Sequence, residues 1–259
     1  MHRQGRSPKG SGLFVLMGRA AEGRGTVVMR PFVRFRPAAG REGIPFFSRN
    51  PLHGPEPLRS LGRALGACVS VLGLAAGGGQ QMPIFAALGA DCTVLDYSHA
   101  QLESESEVAK REGYKINIVR ADMTRKLPFD DSCFDLIFHP VSNCYIEDVA
   151  HVWRECYRIL KSGGYLMSGL DNGINYIFDE TETFLRHPLP FNPLKDKKLL
   201  DEMVKQNEGV QFSHTLDEQI RGQIKAGFKL TDLYEDTNGS GKLHEFGIPT
   251  FWATLAQKI

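Results

Sequence analysis

Three places along the chain carry residues whose type and spacing suit the binding of a nucleotide. Gly77, Gly78 and Gly79 close an apolar run, and a turn without side chains lets the backbone come close to a ligand that bulkier residues would strike. Asp96 follows Gly77 by nineteen residues, at the end of a second apolar run. A carboxylate there can accept both hydroxyl donors of a ribose. Asp122 ends a third run and can accept from the exocyclic amine of a base, with the apolar Met123 beside it to pack on the ring face. Each feature has a plainer reading. A glycine cluster is commonly a turn, an acid after a strand is commonly a cap, and Asp122 has Met123-Thr124 as a turn to cap. Their joint order and spacing favour the nucleotide.

The elements that must position these residues alternate between strand and helix. VSVLGLAA at 69 to 76 reads as a strand running into the glycine turn, and QQMPIFAALGA at 80 to 90 as a short helix closed by Gly89. CTVLD at 92 to 96 is a strand, 99 to 113 a charged amphipathic helix stopped by Gly113, and INIVRAD at 116 to 122 a further strand. FDLIFHP at 134 to 140 is a fourth strand. VAHVWRECYRILKSGG at 149 to 164 reads as a helix ended by Gly163 and Gly164, and YLMSGL as a fifth strand. Thr215 and Glu218 form a capping box for a helix that ends at Gly227. FKLTDLYED and PTFWATLAQ, separated by a Gly-rich loop at 239 to 247, complete the strands. Helical crossovers imply a parallel sheet, whose ligands sit outside the carboxyl ends of the strands.

Composition draws a boundary near residue 66. Residues 1 to 66 hold eleven arginines, one lysine and three acids, a balance of +9, which leaves −8 on the other 193 residues of a chain with net charge +1. The basic segment is also rich in Gly and Pro and has no sustained period of 2 or 3.6. Disorder is the physical expectation for residues 1 to 56, with only 57 to 66 suited to a short helix. An arginine-rich nucleic-acid arm, a mitochondrial presequence and translation from a wrong frame or start are the other readings. The apolar run LFVLM at 13 to 17 is far shorter than the roughly 18 to 20 residues a membrane span needs. Five widely spaced cysteines without C-x-x-C support neither a disulfide framework nor a zinc site, so a reducing, cytoplasmic setting is expected and no metal.

VLGLAAGGG at 71 to 79, LDYS at 95 to 98, ADMTRKLPFDDSCFDLIF at 121 to 138 and ECYRILKSGGYLMSG at 155 to 169 together resemble the successive motifs of class I S-adenosylmethionine-dependent methyltransferases. The resemblance covers about residues 69 to 257. It implies an α/β, Rossmann-like, doubly wound sheet of seven strands, order 3-2-1-4-5-7-6, with the last strand antiparallel. It also implies S-adenosyl-L-methionine as cofactor, bordered by Ala75, Gly77, Gly78 and Gly79, with Asp96 and Tyr97 at the ribose and Asp122 and Met123 at the adenine. Two positions depart from the pattern: Gly73 stands where the family usually has an acid, and Ala75 where it usually has a glycine. The domain expected is 57 to 259, with 171 to 214 where family members insert a substrate lid. A dinucleotide fingerprint would need Gly or Ala at Met82, so a nicotinamide enzyme is disfavoured.

Methyl transfer from a sulfonium is an in-line displacement, so the protein chiefly holds the acceptor near the methyl in a dry pocket. On the acceptor side His139 is the candidate to take a proton, with a backbone-bonded histidine as the alternative, and Asn143 and Tyr145 the candidates to orient a polar group. Asn172, Asn175 and Tyr176 are substrate candidates from the lid segment. The catalytic part is acidic and has no basic aromatic groove, so the expected partner is a small-molecule substrate, not nucleic acid and not a membrane. A catalytically weak or inactive cofactor-binding protein of the same family is the alternative.

Overall fold

The computed structural model describes residues 69–205 and 209–259, together with the backbone of two short strands nearer the start. Those two are β1 (Phe14–Gly18) and β2 (Arg30–Arg34), which pair antiparallel as a separate two-stranded sheet with Phe14 opposite Arg34 and Gly18 opposite Arg30. Five-residue strands are too short to show a period, though aromatic and branched residues favour the pleated backbone. The rest of 1–66, including the helix expected over 57 to 66, lies outside the described residues.

From residue 70 the chain builds one seven-stranded sheet. Its strands are β3 (Ser70–Leu74), β4 (Asp91–Asp96), β5 (Asn117–Arg120), β6 (Phe134–Pro140), β7 (Leu160–Asp171), β8 (Phe228–Asp236) and β9 (Phe251–Lys258). Their spatial order is β5-β4-β3-β6-β7-β9-β8. Counted from β3 as the first strand, this is 3-2-1-4-5-7-6. The pairs among β3 to β7 are parallel, and β9 runs antiparallel to both β7 and β8. The carboxyl ends of β3, β4, β6 and β7 therefore meet along one edge, where the candidate site lies.

Helices cover both faces. α1 (Met82–Ala87) and α2 (His99–Glu112) link the first three strands. Ser98 caps α2 by accepting from the Gln101 amide, and Gly113, at φ +75°, ends it in the left-handed conformation that glycine adopts without strain. α3 (Val149–Ile159) begins at Asp148, whose carboxylate accepts from the Ala150 amide. It stops five residues earlier than the sequence suggests. Leu160 takes an extended conformation and pairs with Phe134, because its fully buried side chain belongs to the core as the first residue of β7. The Thr215–Glu218 capping box forms in both directions and opens a helical stretch, Asp217–Arg221 continued by α6 (Gly222–Lys225). α4 (Ile174–Ile177), α5 (Lys197–Lys205) and, within the loop before β9, α7 (Gly241–Glu245) are short additions.

The sheet register explains the two-sided core. Leu72, Ile137 and Leu166 stand side by side and pack with Trp153, Cys156 and Ile159 of α3, whereas Phe138 and Met167, one residue on, pack with Met82 and Phe85 of α1. Burial of each such side chain stabilises the fold by about 1.5–3 kcal/mol. The E-x-x-R pair of α3 clamps the segment before β6: Glu155 Oε2 accepts from the Leu127 amide at 2.7 Å, while Arg158 binds Glu155 and donates to the Leu127 and Phe129 carbonyls. Arg158 holds the Glu155 carboxyl below its usual pKa. Among the described residues no helix is long and apolar enough to cross a membrane.

Candidate active site at the strand ends

Asp96 ends β4 and ties three pieces of backbone together. Its Oδ2 accepts from the Gly77 amide at 3.1 Å and its Oδ1 from the Ser98 amide at 2.9 Å. Burial raises its pKa, against the lowering effect of these amides. The Tyr97 amide adds a third backbone donor to this carboxylate, and with about four lone-pair directions it keeps room for an incoming hydroxyl donor.

The glycine turn proves to be a packed support. Gly78 donates to the Gln101 carbonyl at 2.9 Å and Gly79 to Glu105 Oε2 at 2.6 Å, so with Gly77 all three amides are used within the protein. Side chains are excluded there by α2: a Cβ on Gly77 would meet Gln101 and Asp96, and one on Gly79 would strike Val108. Ala75 has φ +50°, the left-handed region in which a residue with a Cβ is uncommon. Its amide donates to the Leu95 carbonyl and its carbonyl accepts from Ser142 Oγ at 2.6 Å. At the other departure, Gly73, a Cβ would meet the sulfur of the buried Met82, so a larger residue there would require that side chain to shift. Next to Met82, Gln81 is 2% exposed, and neither polar atom of its side chain has a partner.

The base-side candidates divide. Asp122 Oδ1 accepts from both the amide and the hydroxyl of Thr124, which is the turn-capping arrangement, and leaves Oδ2 for another donor. Met123 is 7% exposed and belongs to the core with Leu95 and Leu127, so its side chain is not an open platform for a ring. Tyr97 is 69% exposed beside Asp96, and its carbonyl accepts from Arg120.

On the acceptor side, two candidates turn out to be struts. His139 is fully buried, its ring edge-on to Trp153 at 6.0 Å, and its Nδ1 lies 3.0 Å from the Leu74 carbonyl. A carbonyl only accepts, so Nδ1 carries the proton. Burial pushes the pKa down to about 4, which makes it a poor base near neutrality. Asn143, also buried, donates to Gln219 Oε1 while Gln219 Nε2 donates to the Asp171 carbonyl, locking the turn after β6 to the helical stretch at 217–221. Asn172 is likewise structural, bonded to the Pro249 carbonyl and the Ile174 amide.

The remaining candidates converge around Cys144. The hydroxyls of Tyr145 and Tyr176 both lie within hydrogen-bonding range of its sulfur, and Asp171 and Tyr176 are close enough to act on each other electrostatically. Tyr145 also feels the charge of Asp96, so this cluster adjoins the ribose side. Tyr176 donates to Gln211 Oε1 at 2.9 Å and stacks on Phe191 at 5.0 Å. Asp171, at the end of β7, accepts from the Gly173 amide and from Asn175 Nδ2, both at 2.7 Å, and burial raises its pKa to about 6.

Sequence reasoning missed Glu105, Asp171 and Gln81. Glu105 had a visible sign: it falls between Leu102 and Ala109 on the buried stripe of α2, where an acid needs partners and finds them in the Gly79 amide and the Tyr114 hydroxyl. Asp171 and Gln81 had none.

A family model described as a methyltransferase domain matches residues 72–168, from β3 into β7. An uncharacterized methyltransferase, YbaJ of Bacillus subtilis, is 42% identical over 198 residues, which cover 74% of this chain and 77% of YbaJ. The chain is a class I S-adenosylmethionine-dependent methyltransferase family member. A sarcosine/dimethylglycine N-methyltransferase of Halorhodospira halochloris is 33% identical over 112 residues, covering 42% of this chain and 40% of that protein. The fold agrees with that of an S-adenosylmethionine-dependent methyltransferase from Mesorhizobium loti: TM-score 0.56, 19% identity, covering 78% of this chain and 98% of the other. Within the span matched by the methyltransferase-domain model, the E-x-x-R pair of α3 acts as a structural clamp.

Proposed function

We propose that this methyltransferase takes its methyl group from S-adenosylmethionine and delivers it to a small molecule. The observation that carries the donor assignment is Asp96, held by the Gly77 and Ser98 amides at the end of the second strand with room for an incoming donor. The residues present fit such a donor: Asp96 for the ribose, Asp122 Oδ2 for an exocyclic amine, and the side-chain-free turn of Gly77 to Gly79 beside them. When bound, the donor supplies a methyl on a sulfonium, a group displaced by an in-line nucleophile. The chain's own work is then positioning and exclusion of water. Asp96 fixes the ribose and, through Gly77, the turn. Tyr145 and Tyr176, paired through Cys144, orient a polar acceptor, and Asp171 is the buried group whose pKa near 6 lets it hold a proton the acceptor loses. His139 is assigned to the scaffold.

The reading includes residues 57 to 259 as the catalytic domain, residues 171 to 214 as the acceptor-side lid, and a cytoplasmic setting. Support for a small acceptor comes from the acidic balance of the chain after residue 66. Its test is transfer of label from methyl-labelled S-adenosylmethionine to a panel of amines, phenols and carboxylic acids, with DNA and RNA as parallel acceptors. Label is expected in a small molecule; label in nucleic acid alone would overturn the acceptor class.

A further inference from the structure

α2 turns one face to the glycine turn. Gln101, Glu105 and Val108 are spaced by four and then three residues, which sets them in one row on a helix, and each meets a different part of the turn. The Gln101 carbonyl accepts from the Gly78 amide at 2.9 Å, Glu105 Oε2 accepts from the Gly79 amide at 2.6 Å, and Val108 fills the space a side chain on Gly79 would need. Of the three, Glu105 is the one that helix packing does not account for. It is fully buried on the stripe it shares with Leu102 and Ala109. An apolar side chain would fill that place without the cost of taking a carboxylate out of water, a cost that stays high unless the group is paired or hydrogen-bonded. The partners Glu105 finds are an amide and a hydroxyl.

The end of the helix delivers the hydroxyl. Gly113, in the left-handed conformation, turns the chain so that the Tyr114 amide reaches back to the Ala109 carbonyl at 3.1 Å, and the Tyr114 hydroxyl donates to Glu105 Oε1 at 3.0 Å. With Oε1 held by Tyr114, Oε2 stays on Gly79. The turn needs such a fixture. Gly78 and Gly79 have φ of +109° and +73°, and glycine has more backbone freedom to lose than any other residue. Asp96 pins the turn at Gly77 and Glu105 pins it at Gly79. A turn held at both ends is in place before a ligand arrives, which spares binding the cost of ordering it.

We propose that Glu105 is a positioning residue for the methyl donor: buried on α2 and steadied by Tyr114, it holds the glycine turn through the Gly79 amide in the shape that donor binding uses, without touching the donor itself. The proposal rests on the S-adenosylmethionine reading above and adds to it a residue that acts from behind the turn.

The probe is S-adenosylhomocysteine, titrated calorimetrically into the full chain and three variants at a temperature where circular dichroism shows each of them folded. Glu105→Met keeps the length of the side chain and removes the acceptor, and its affinity should fall by about tenfold. Glu105→Gln keeps an acceptor for the Gly79 amide and presents a donor to the Tyr114 oxygen. Its affinity should stay within about twofold of wild type. Tyr114→Phe leaves the Gly79 bond in place but frees Oε1, and should weaken binding by about three- to fivefold. A residue that served the core alone would lower the melting temperature of the ligand-free protein and leave the affinity of the folded protein unchanged. Unchanged affinity in Glu105→Met or in Tyr114→Phe therefore overturns the proposal, and the second variant decides it should the first not fold. A Gln variant as weak as the Met variant overturns it too, because the hydrogen bond to Gly79 is then not what acts. Wild type that does not bind S-adenosylhomocysteine refutes the donor reading; wild type that binds it while Glu105→Met binds equally well refutes this proposal alone.

Discussion

At the scale of single residues, Asp96 joins two tasks, since the carboxylate offered to a ribose also holds the glycine turn. Asp96→Ala removes charge-assisted hydrogen bonding to the ligand, about 2–4 kcal/mol. Calorimetry should show a loss of S-adenosylhomocysteine affinity of that size in a protein that still folds; unchanged binding would put the ribose elsewhere. Two buried titratable groups give the stability curve opposing slopes. His139, lowered from 6.5 to about 4, contributes stability that is full above pH 6.5 and is lost as pH falls towards 4. Asp171, raised from 3.8 to about 6, contributes stability that is full below pH 3.8 and is lost as pH rises through 6. Each slope is at most about 1.4 kcal/mol per pH unit. Urea unfolding between pH 4.5 and 7 should therefore show His139→Gln losing less stability than wild type on acidification, and Asp171→Asn losing more. Parallel curves for all three proteins would contradict the assigned pKa directions.

Among the elements, α3 and the helical stretch after residue 217 are the most tightly matched pair. Trp153 is fully buried on α3, donates from Nε1 to the Glu218 carbonyl, and would be struck at Cδ1 by a Cβ on Gly222, 2.8 Å away. Gly222→Ala should thus destabilise by about 1–3 kcal/mol from overpacking, although helix propensity alone favours alanine by about 1 kcal/mol. A variant more stable than wild type in denaturant unfolding would show that the contact yields freely. Elements of this kind were legible in the sequence. β6 falls on residues 134 to 140 as its apolar run suggests, and β8 on 228 to 236. The end of α3 was not, because Leu160 is set by pairing with β6, which the helical period does not report. The roles of His139 and Asn143 were hidden for the same reason: the partners that turn them into struts, Leu74 and Gln219, lie 65 and 76 residues away. Asp96 was readable because its position at a strand end follows from local pattern alone.

For the molecule as a whole, the sheet brings the ends of β3, β4, β6 and β7 to one edge, so the donor-side residues that follow β3 and β4 and the acceptor-side residues that follow β6 and β7 lie along the same edge. A chain beginning at residue 57 should keep S-adenosylhomocysteine affinity within a few-fold of the full chain; loss of folding on trimming would make the preceding residues part of the domain. Ligand at 100 times its dissociation constant should stabilise the protein by about 2.7 kcal/mol. The most direct measurement is isothermal titration of the full chain with S-adenosylhomocysteine and, separately, with NAD. The account requires saturable one-to-one binding of S-adenosylhomocysteine and no heat from NAD; binding of NAD without S-adenosylhomocysteine would contradict it.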